Sequence, residues 1–414
     1  MPPGAEPGQP LACLALPVEA TTHSDATGSS EWNDVLVDWR NRVWLGGYDR
    51  GALPANDLGP AGNARGVIRA LSPLGEPLFD SDAQLDSPGA DAVEALSLSE
   101  AGLIFAAGRT SGAFAGQTHR GQFDTFIARG DASQPAAAWR VGQFGDERPQ
   151  HPRRIATAGT ADVYVAGFNA DWVPTNYVAE WADASAGRFT VNSAGSGAPV
   201  APAWEHRSLS EAQDFGLALV LHQDHVFIGG TVTGGTQRGA FVRKLALSGA
   251  PVWTARYTSF GGDSVAALQR LADGTLLIAG SVGGSFRGGV HRGQQDVYIA
   301  RINPADGAVL ASAQFGTEGT EWLTDAKVDA QGNIFLFGET DGGFVAGQAP
   351  AGNADFFLLK VRMDGTLLKS WQWGTADDEH AKAAALDSCG RAVAVGATAS
   401  GAHKRAVMWF PRAQ

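Results

Sequence analysis

The stretch NIFLFGETDGGFVAGQAPAGNADFFLLKVRMDGTLLKSWQWGT, residues 333–375, holds the pattern that decides the fold. An apolar run from Ile334 to Phe337 closes on Gly338, and a Gly/Phe loop follows. Asp355 then opens a second apolar run, DFFLLKVR, and the Asp364-Gly365 pair turns the chain into TLLKSWQW. Short runs rich in β-branched and aromatic residues, bounded by turn formers, read as antiparallel strands joined by tight turns. Upstream, EWLTDAKVDAQGN from Glu321 adds an alternating segment and a Gln-Gly-Asn turn, so the unit has four strands.

The template recurs in LLIAGSVGGSFRGGVHRGQQDVYIARINPADGAVLASAQFGT from Leu276 and in LIFAAGRTSGAFAGQTHRGQFDTFIARGD from Leu103. The glycine ending the second strand returns at Gly47, Gly108, Gly167, Gly230, Gly280, Gly338 and Gly396, at separations of 61, 59, 63, 50, 58 and 58 residues. Variation of that size comes from loop length. A twisted four-stranded sheet apolar on both faces cannot bury both alone, so the units pack face to face around an axis. The expected architecture is all-β: a seven-bladed β-propeller of four-stranded antiparallel blades. Central runs such as Val43 to Leu45, Val163 to Val165 and Val226 to Ile228 supply the core between blades. No sustained apolar stripe at helical spacing exists, so helices are expected to be few.

The last unit stops after its third strand, RAVMWFPRAQ. Registering Gly47 on Gly338 sets Pro17 to His23, PVEATTH, over a fourth strand, so the N-terminal segment is expected to complete the last blade and close the ring. The resulting organisation is a flexible Pro/Gly linker at 1–10, a closing strand of blade 7 within 11–28, and blades at 29–87, 88–146, 147–210, 211–262, 263–319, 320–377 and 378–414. Cys13 then lies just before the closing strand and Cys389 in the first turn of the last blade, on one face. A disulfide there would fasten the closure and suit an oxidising compartment. Two strands' width separates the turns, which leaves two unpaired thiols as the alternative.

Gly at 54 of 414 residues, without a period of three, agrees with many tight turns. A net charge of −12 argues against a nucleic-acid partner, which demands clustered Lys and Arg. No apolar run reaches 18 residues, so no transmembrane segment is expected. The start, MPPGAEPGQP, has neither a basic nor an apolar stretch and reads as a linker that would follow a removed export signal or lipid anchor.

The units resemble the bacterial SBBP β-propeller repeat family. Its template runs as Gly-Thr, Asp, an alternating strand, Asp-x-x-Gly-Asn, an apolar strand, Gly-x-Thr, a Gly-Phe loop, Gly-x-x-Asp and an apolar strand ending in Lys or Arg. Here Gly316, Thr317, Asp329, Gly332, Asn333, Gly338, Thr340, Gly352, Asp355 and Lys360 match it. Blades 2, 5 and 6 follow closely, blades 1, 4 and 7 are shorter or drifted, and blade 3 departs most, with NADWVPTNYVAEW in place of the Gly-Phe loop. The resemblance implies an exported or cell-surface protein, generally without an assigned activity, and supplies no catalytic residue.

Acids at the blade junctions, Asp91, Asp214, Asp263, Glu321 and Asp378, recur about once per unit and are expected to cap turn amides. The block ADDEH at 376–380 has neither EF-hand nor zinc-helix spacing, so no metal site is expected. Paired loops place His119 and Arg120, and His291 and Arg292, at one repeat position, where planar guanidinium forks suit a polar or anionic ligand; shared ancestry of the repeat explains the match more simply. In blade 3, Trp172, Asn176 and Tyr177 set aromatic faces beside an amide, which suits a sugar ring or a partner protein, while Trp181 falls on a core strand. Trp139, Trp253, Trp371 and Trp373 fall in fourth strands as padding.

No Gly-x-Ser-x-Gly elbow, Walker loop, dinucleotide fingerprint or CxxC pair occurs, so no catalytic residue and no cofactor are assigned. Two functions follow. The first is a non-enzymatic exported or cell-surface scaffold or binding module, a monomer, for a protein or glycan. The second is a hydrolase or lyase with a polar site at the mouth of the central channel. Innermost strands such as DAVEALSLS and HAKAAALDS, rich in Ala and Leu, point to a plain mouth and to the first.

Overall fold

The computed structural model describes residues 13–14, 19–21, 28–52, 64–78, 82–133, 139–172, 179–191, 201–208, 213–234, 238–259, 261–345, 349–400 and 403–411. Seven four-stranded antiparallel sheets form a ring of blades. Blade 7 is completed by β1 (Glu19–Thr21). Blade 1 holds β2 (Gly28–Val37), β3 (Val43–Ala52), β4 (Arg65–Leu71) and β5 (Ala83–Leu85). Blade 2 holds β6 (Asp91–Leu98), β7 (Leu103–Thr110), β8 (Asp124–Asp131) and β9 (Arg140–Phe144). Blade 3 holds β10 (Gln150–Ala158), β11 (Asp162–Trp172), β12 (Ala179–Thr190) and β13 (Pro202–Arg207). Blade 4 holds β14 (Asp214–His222), β15 (His225–Val232), β16 (Gly239–Ala246) and β17 (Pro251–Tyr257). Blade 5 holds β18 (Ala267–Arg270), β19 (Leu276–Val282), β20 (Asp296–Ile302) and β21 (Val309–Phe315). Blade 6 holds β22 (Glu321–Val328), β23 (Ile334–Thr340), β24 (Asp355–Val361) and β25 (Leu367–Trp373). Blade 7 adds β26 (Asp378–Leu386), β27 (Ala392–Ser400) and β28 (His403–Trp409). Among the described residues no helix is long and apolar enough to cross a membrane.

The ring closes through β1, which pairs with β28 from Glu19 opposite Trp409 to Thr21 opposite Val407. Ahead of it the Cys13–Cys389 disulfide, with Cα atoms 5.9 Å apart, ties the N-terminal segment to the first turn of blade 7. Leu14 is fully buried in the core between blades 7 and 1. Its amide donates to Asp387 Oδ2 at 2.9 Å, and Arg391 donates to its carbonyl. Residues 13 and 14 thus lie against the first turn of blade 7, which brings the two cysteines within bonding distance.

The central strands are apolar on both faces because both faces meet a neighbouring blade. Phe105 and Ile127 of blade 2 pack with Val163 and Phe189 of blade 3, and Leu45 and Val67 of blade 1 with Val393 and Met408 of blade 7. The fourth-strand tryptophans pad these seams: Trp373 stacks on Trp409 at 3.3 Å between ring centroids.

The recurring glycine has a steric cause. In six blades the innermost strand carries a bulge within two residues of that glycine's partner, as between Trp32 and Asp34 or Leu323 and Asp325. The bulge drives a backbone carbonyl of the innermost strand against the glycine. A Cβ on Gly338 would lie 2.0 Å from the Trp322 carbonyl oxygen, and one on Gly280 1.8 Å from that of Ser264.

The Gly-Phe loop and the Asp of the template form one network in blades 2, 5 and 6. Fully buried Asp124, Asp296 and Asp355 accept backbone amides from the preceding loop, at Arg120, Arg292 and Ala351. Each also accepts the side-chain amide of a fourth-strand glutamine: Gln143 at 2.8 Å, Gln314 at 2.7 Å and Gln372 at 3.1 Å. The same glutamines take the amides of Phe114, Phe286 and Phe344 on their oxygens. These contacts satisfy buried carboxylates that would otherwise be costly.

Junction acids serve as turn caps. Asp91 takes the Ser87 amide at 2.7 Å, Asp263 the Ser259 amide, and Glu321 that of Thr317 at 3.0 Å, while Asp214 holds the Ser208 hydroxyl. Blade 7 corrects the expectation: Glu379, not Asp378, caps Thr375, because the acid four residues after the threonine points into the junction. Asp378 instead accepts from Asn353 at 2.9 Å.

Candidate functional site at the mouth of the central channel

The seven innermost strands line a central channel of about 380 Å³. Bulging turns selected side chains into it, which corrects the expectation of a plain Ala/Leu lining: Asp34, Arg154, Asp325 and Lys327 all face this space. Asp34 and Asp325 occupy the same repeat position and staple neighbouring blades, accepting the amides of Leu96 at 2.7 Å and Ala384 at 3.0 Å. Lys327 pairs with Asp325 at 2.9 Å. Arg154 reaches from blade 3 to the Thr324 carbonyl of blade 6, 3.3 Å away, and forms a floor across the channel. Burial raises Asp34 above the usual carboxylate range, against the pull of Arg154 and Lys327.

Above this floor, where the innermost strands begin, charge collects on blades 7, 1, 2 and 3. Buried Glu31 is bracketed by Lys382 at 3.3 Å and Lys404 at 3.2 Å. Burial alone would raise its carboxyl, but the two ammonium groups outweigh that and hold it at about 2. Buried Glu94 is bracketed likewise by Arg109 at 2.8 Å and Arg153 at 3.7 Å. Both guanidinium groups lie over aromatic rings, Arg109 5.1 Å from the centre of Phe123 and Arg153 5.3 Å from that of Phe168. His151, stacked on Phe168 at 5.0 Å, is kept neutral by burial and by the two arginines. Blade 4 contributes Phe215 and Thr231 at the matching positions and blade 5 Ser264 and Ser281, so the mouth has a charged crescent and a neutral side. Trp322 of blade 6, 49% exposed, stands at the edge between them.

Glu339, the register partner of Trp322, accepts the Ala381 amide at 2.6 Å. Burial pushes it up from 4.5 to about 7, despite that amide and Lys382. A carboxyl raised in the folded state contributes stability in full below its unfolded value of 4.5, and the contribution disappears as pH rises through 7. Glu339→Gln keeps the acceptor without the titration. Urea unfolding at pH 5 and pH 8 is therefore expected to show a smaller loss across that interval in the variant, by about 2 kcal/mol after discounting for solvent at the mouth. Equal losses in both proteins would refute the assignment.

The residues singled out from sequence lie elsewhere. Trp172 ends β11 opposite Ala179, its side chain outside the described residues, as are Asn176, Tyr177 and the side chain of Trp181. His119 and Arg120 lie on the loop before β8, and His291 and Arg292 on the loop before β20, three blades away. Their shared spacing belongs to the Asp network, since Asp124 and Asp296 hold those loops through the Arg120 and Arg292 amides. His291 sits 3.7 Å from Asp296, and the Arg120 and Arg292 side chains are exposed. No described contact joins the two pairs. Sequence reasoning passed over Glu31, Glu94, Arg109, Arg153, Lys382 and Lys404. The available signal was comparison of repeat positions flanking each bulge, where charge replaces small residues in four blades.

No protein-family model matches the chain, and no curated protein matches its sequence. Among solved structures, a protein of unknown function from Dyadobacter fermentans is similar over 95% of this chain and 97% of its own, at 12% identity and a TM-score of 0.50. A structure of YCF48 bound to D1 peptide is similar over 94% and 93%, at 13% identity and a TM-score of 0.46. A protein of unknown function from Bacteroides caccae matches 56% of this chain, which spans 65% of that protein's length, at 11% identity and a TM-score of 0.33. At 12% identity the likeness to the Dyadobacter protein is one of fold alone.

Proposed function

We propose that the protein is a non-enzymatic binding module, exported or displayed at the cell surface, that takes a protein or glycan at the mouth of its central channel. The observation that carries this reading is the charged crescent, where Arg109 meets Glu94 through Nε, Arg153 stands off it at 3.7 Å through Nη1, and both side chains keep solvent access. Donors held in place by aromatic rings but left unfilled are suited to a ligand. The disulfide between Cys13 and Cys389 supports an oxidising location, and the repeat template supports kinship with the SBBP family. The test is a glycan array with pull-down from an envelope extract, using wild type, an Arg109→Gln/Arg153→Gln variant, and a Trp172→Ala/Tyr177→Ala variant. Hits lost only in the arginine variant are expected. Hits lost only in the second variant would move binding to the edge of blade 3, and no hit with any protein would remove the reading.

A second reading, a hydrolase or lyase, is favoured by one observation: Glu31 and Glu339 face the same mouth with pKa values near 2 and 7, the divergence that separates a permanent carboxylate from a proton donor. Turnover of an oligosaccharide or peptide library, abolished by Glu339→Gln, would establish it in place of the first.

A further inference from the structure

We propose that the ligand of the mouth is an acidic glycan, bound through a sugar carboxylate held by Arg109 and Arg153 with a neighbouring ring laid on Trp322. This names the ligand class for the binding reading above and rests on it.

Three features of the mouth converge on that chemistry. The first is donor geometry. Arg109 reaches Glu94 through Nε at 2.8 Å, and Arg153 stands off at 3.7 Å through Nη1. No described residue accepts from the remaining guanidinium nitrogens of either, and both side chains keep solvent access, 33% for Arg109 and 41% for Arg153. A planar fork matches a carboxylate bidentately, whereas a neutral hydroxyl uses only one of its arms. Stacking on Phe123 and Phe168 fixes both forks before a ligand arrives, so little freedom is lost on binding.

The second feature is local charge. Arg109, Arg153, Lys382 and Lys404 exceed the two carboxylates they bracket, Glu31 and Glu94, in a protein whose net charge is −12. That local excess favours an anionic ligand at the mouth against the net repulsion of the whole protein. The floor made by Arg154 keeps the polymer from threading the channel, so it must lie across the mouth.

The third feature is Trp322. Among the aromatic side chains of the mouth Trp322 is half exposed, and its indole offers a flat apolar face. A pyranose ring bearing a carboxylate presents an apolar face and a planar anion on one rigid unit. An acidic peptide carries its carboxylates on flexible side chains and has less to lay on an indole.

The test is titration calorimetry at low and at physiological salt with three probes: tetragalacturonate, its fully methyl-esterified form, and poly-L-glutamate. Wild type is expected to bind tetragalacturonate at least tenfold more tightly than the ester, with affinity falling as salt rises. Arg153→Gln, Arg109→Gln and Trp322→Ala are each expected to weaken that binding at least tenfold while remaining folded, as circular dichroism at the titration temperature reports. Arg292→Gln, on an exposed loop three blades from Arg109, leaves it unchanged. Equal affinity for the ester would overturn carboxylate recognition while leaving a glycan-binding mouth intact. Equal affinity for poly-L-glutamate would overturn the glycan class in favour of an acidic protein partner. Failure of all three probes to bind would overturn the proposal, and hits lost in the arginine variant on the array would then show that the binding reading itself survives.

Discussion

Replacing Cys13 and Cys389 together by serine is expected to lower the unfolding free energy by about 6 kcal/mol, the loop-entropy value for so long a closed chain, and the melting temperature by about 7 °C. The bond joins residues 376 apart in sequence, so it encloses nearly every blade. Cross-linking of that span restricts the unfolded chain more than a short loop does. The described closing strand contributes only three register pairs to β28, so the ring is not held shut by its ladder alone. Leu14 adds a buried side chain and two hydrogen bonds to the blade 7 turn, through Asp387 and Arg391. Loss of the bond leaves these contacts in place but makes them reversible. Thermal unfolding of wild type under non-reducing and reducing conditions, beside the double serine variant, measures this directly. The reduced wild type and the variant are expected to coincide, and identical melting in all three samples would refute a stabilising role.

Gly280→Ala is expected to cost at least about 3 kcal/mol and to lower expression of folded protein. The added methyl would lie 1.8 Å from the Ser264 carbonyl oxygen, a backbone atom that no rotamer change moves. Relief requires the segment ahead of β18 to part from β19, which sacrifices the backbone hydrogen bonds from Ser264 to Ser281 and from Ala266 to Ala279 and opens the core around Val265, Ile278 and Tyr298. The comparison is Gly332→Ala, in a turn with nothing within 4 Å of the new Cβ but with φ at +80°. There the cost is only that of a side chain in the left-handed region, about 1 kcal/mol. Denaturant unfolding of both variants separates steric exclusion from backbone preference. Similar losses at the two sites would show that the Ser264 carbonyl does not crowd Gly280 as described.

These residues also show why parts of the molecule could be read in advance. Gly280 and Gly338 mark a local collision that every blade repeats, so their spacing carried the blade count. Asp296 and Asp355 recur for the same kind of reason, each tying its own loop to its own fourth strand. Gln314 and Gln372 belong to that network but look like ordinary polar residues in an edge strand, and nothing local distinguishes them. The pairs His119/Arg120 and His291/Arg292 illustrate the opposite hazard: repetition drew attention to side chains whose backbone, not whose chemistry, is what the repeat preserves.

The mouth was hidden for a related reason. Glu94 and Lys382 stand singly inside runs of Ala and Leu, where one charge reads as a surface position on an alternating strand. Bulging breaks the alternation and turns them toward the axis, beside residues from other blades. Arg109 and Arg153 are 44 positions apart in the chain, Glu31 and Lys404 are 373 apart, and neither meeting has a local signature.

From its sequence alone this chain determined the strands, the turns, the number of blades and the need for its two ends to meet, because short-range sterics and apolar patterning act within one unit and are repeated in each. The curvature of the assembled ring decided which charges converge, how Glu31 and Glu339 come to hold their protons so differently, and that Cys13 lies within reach of Cys389. Those outcomes depend on distances between blades, set only when all seven pack around one axis.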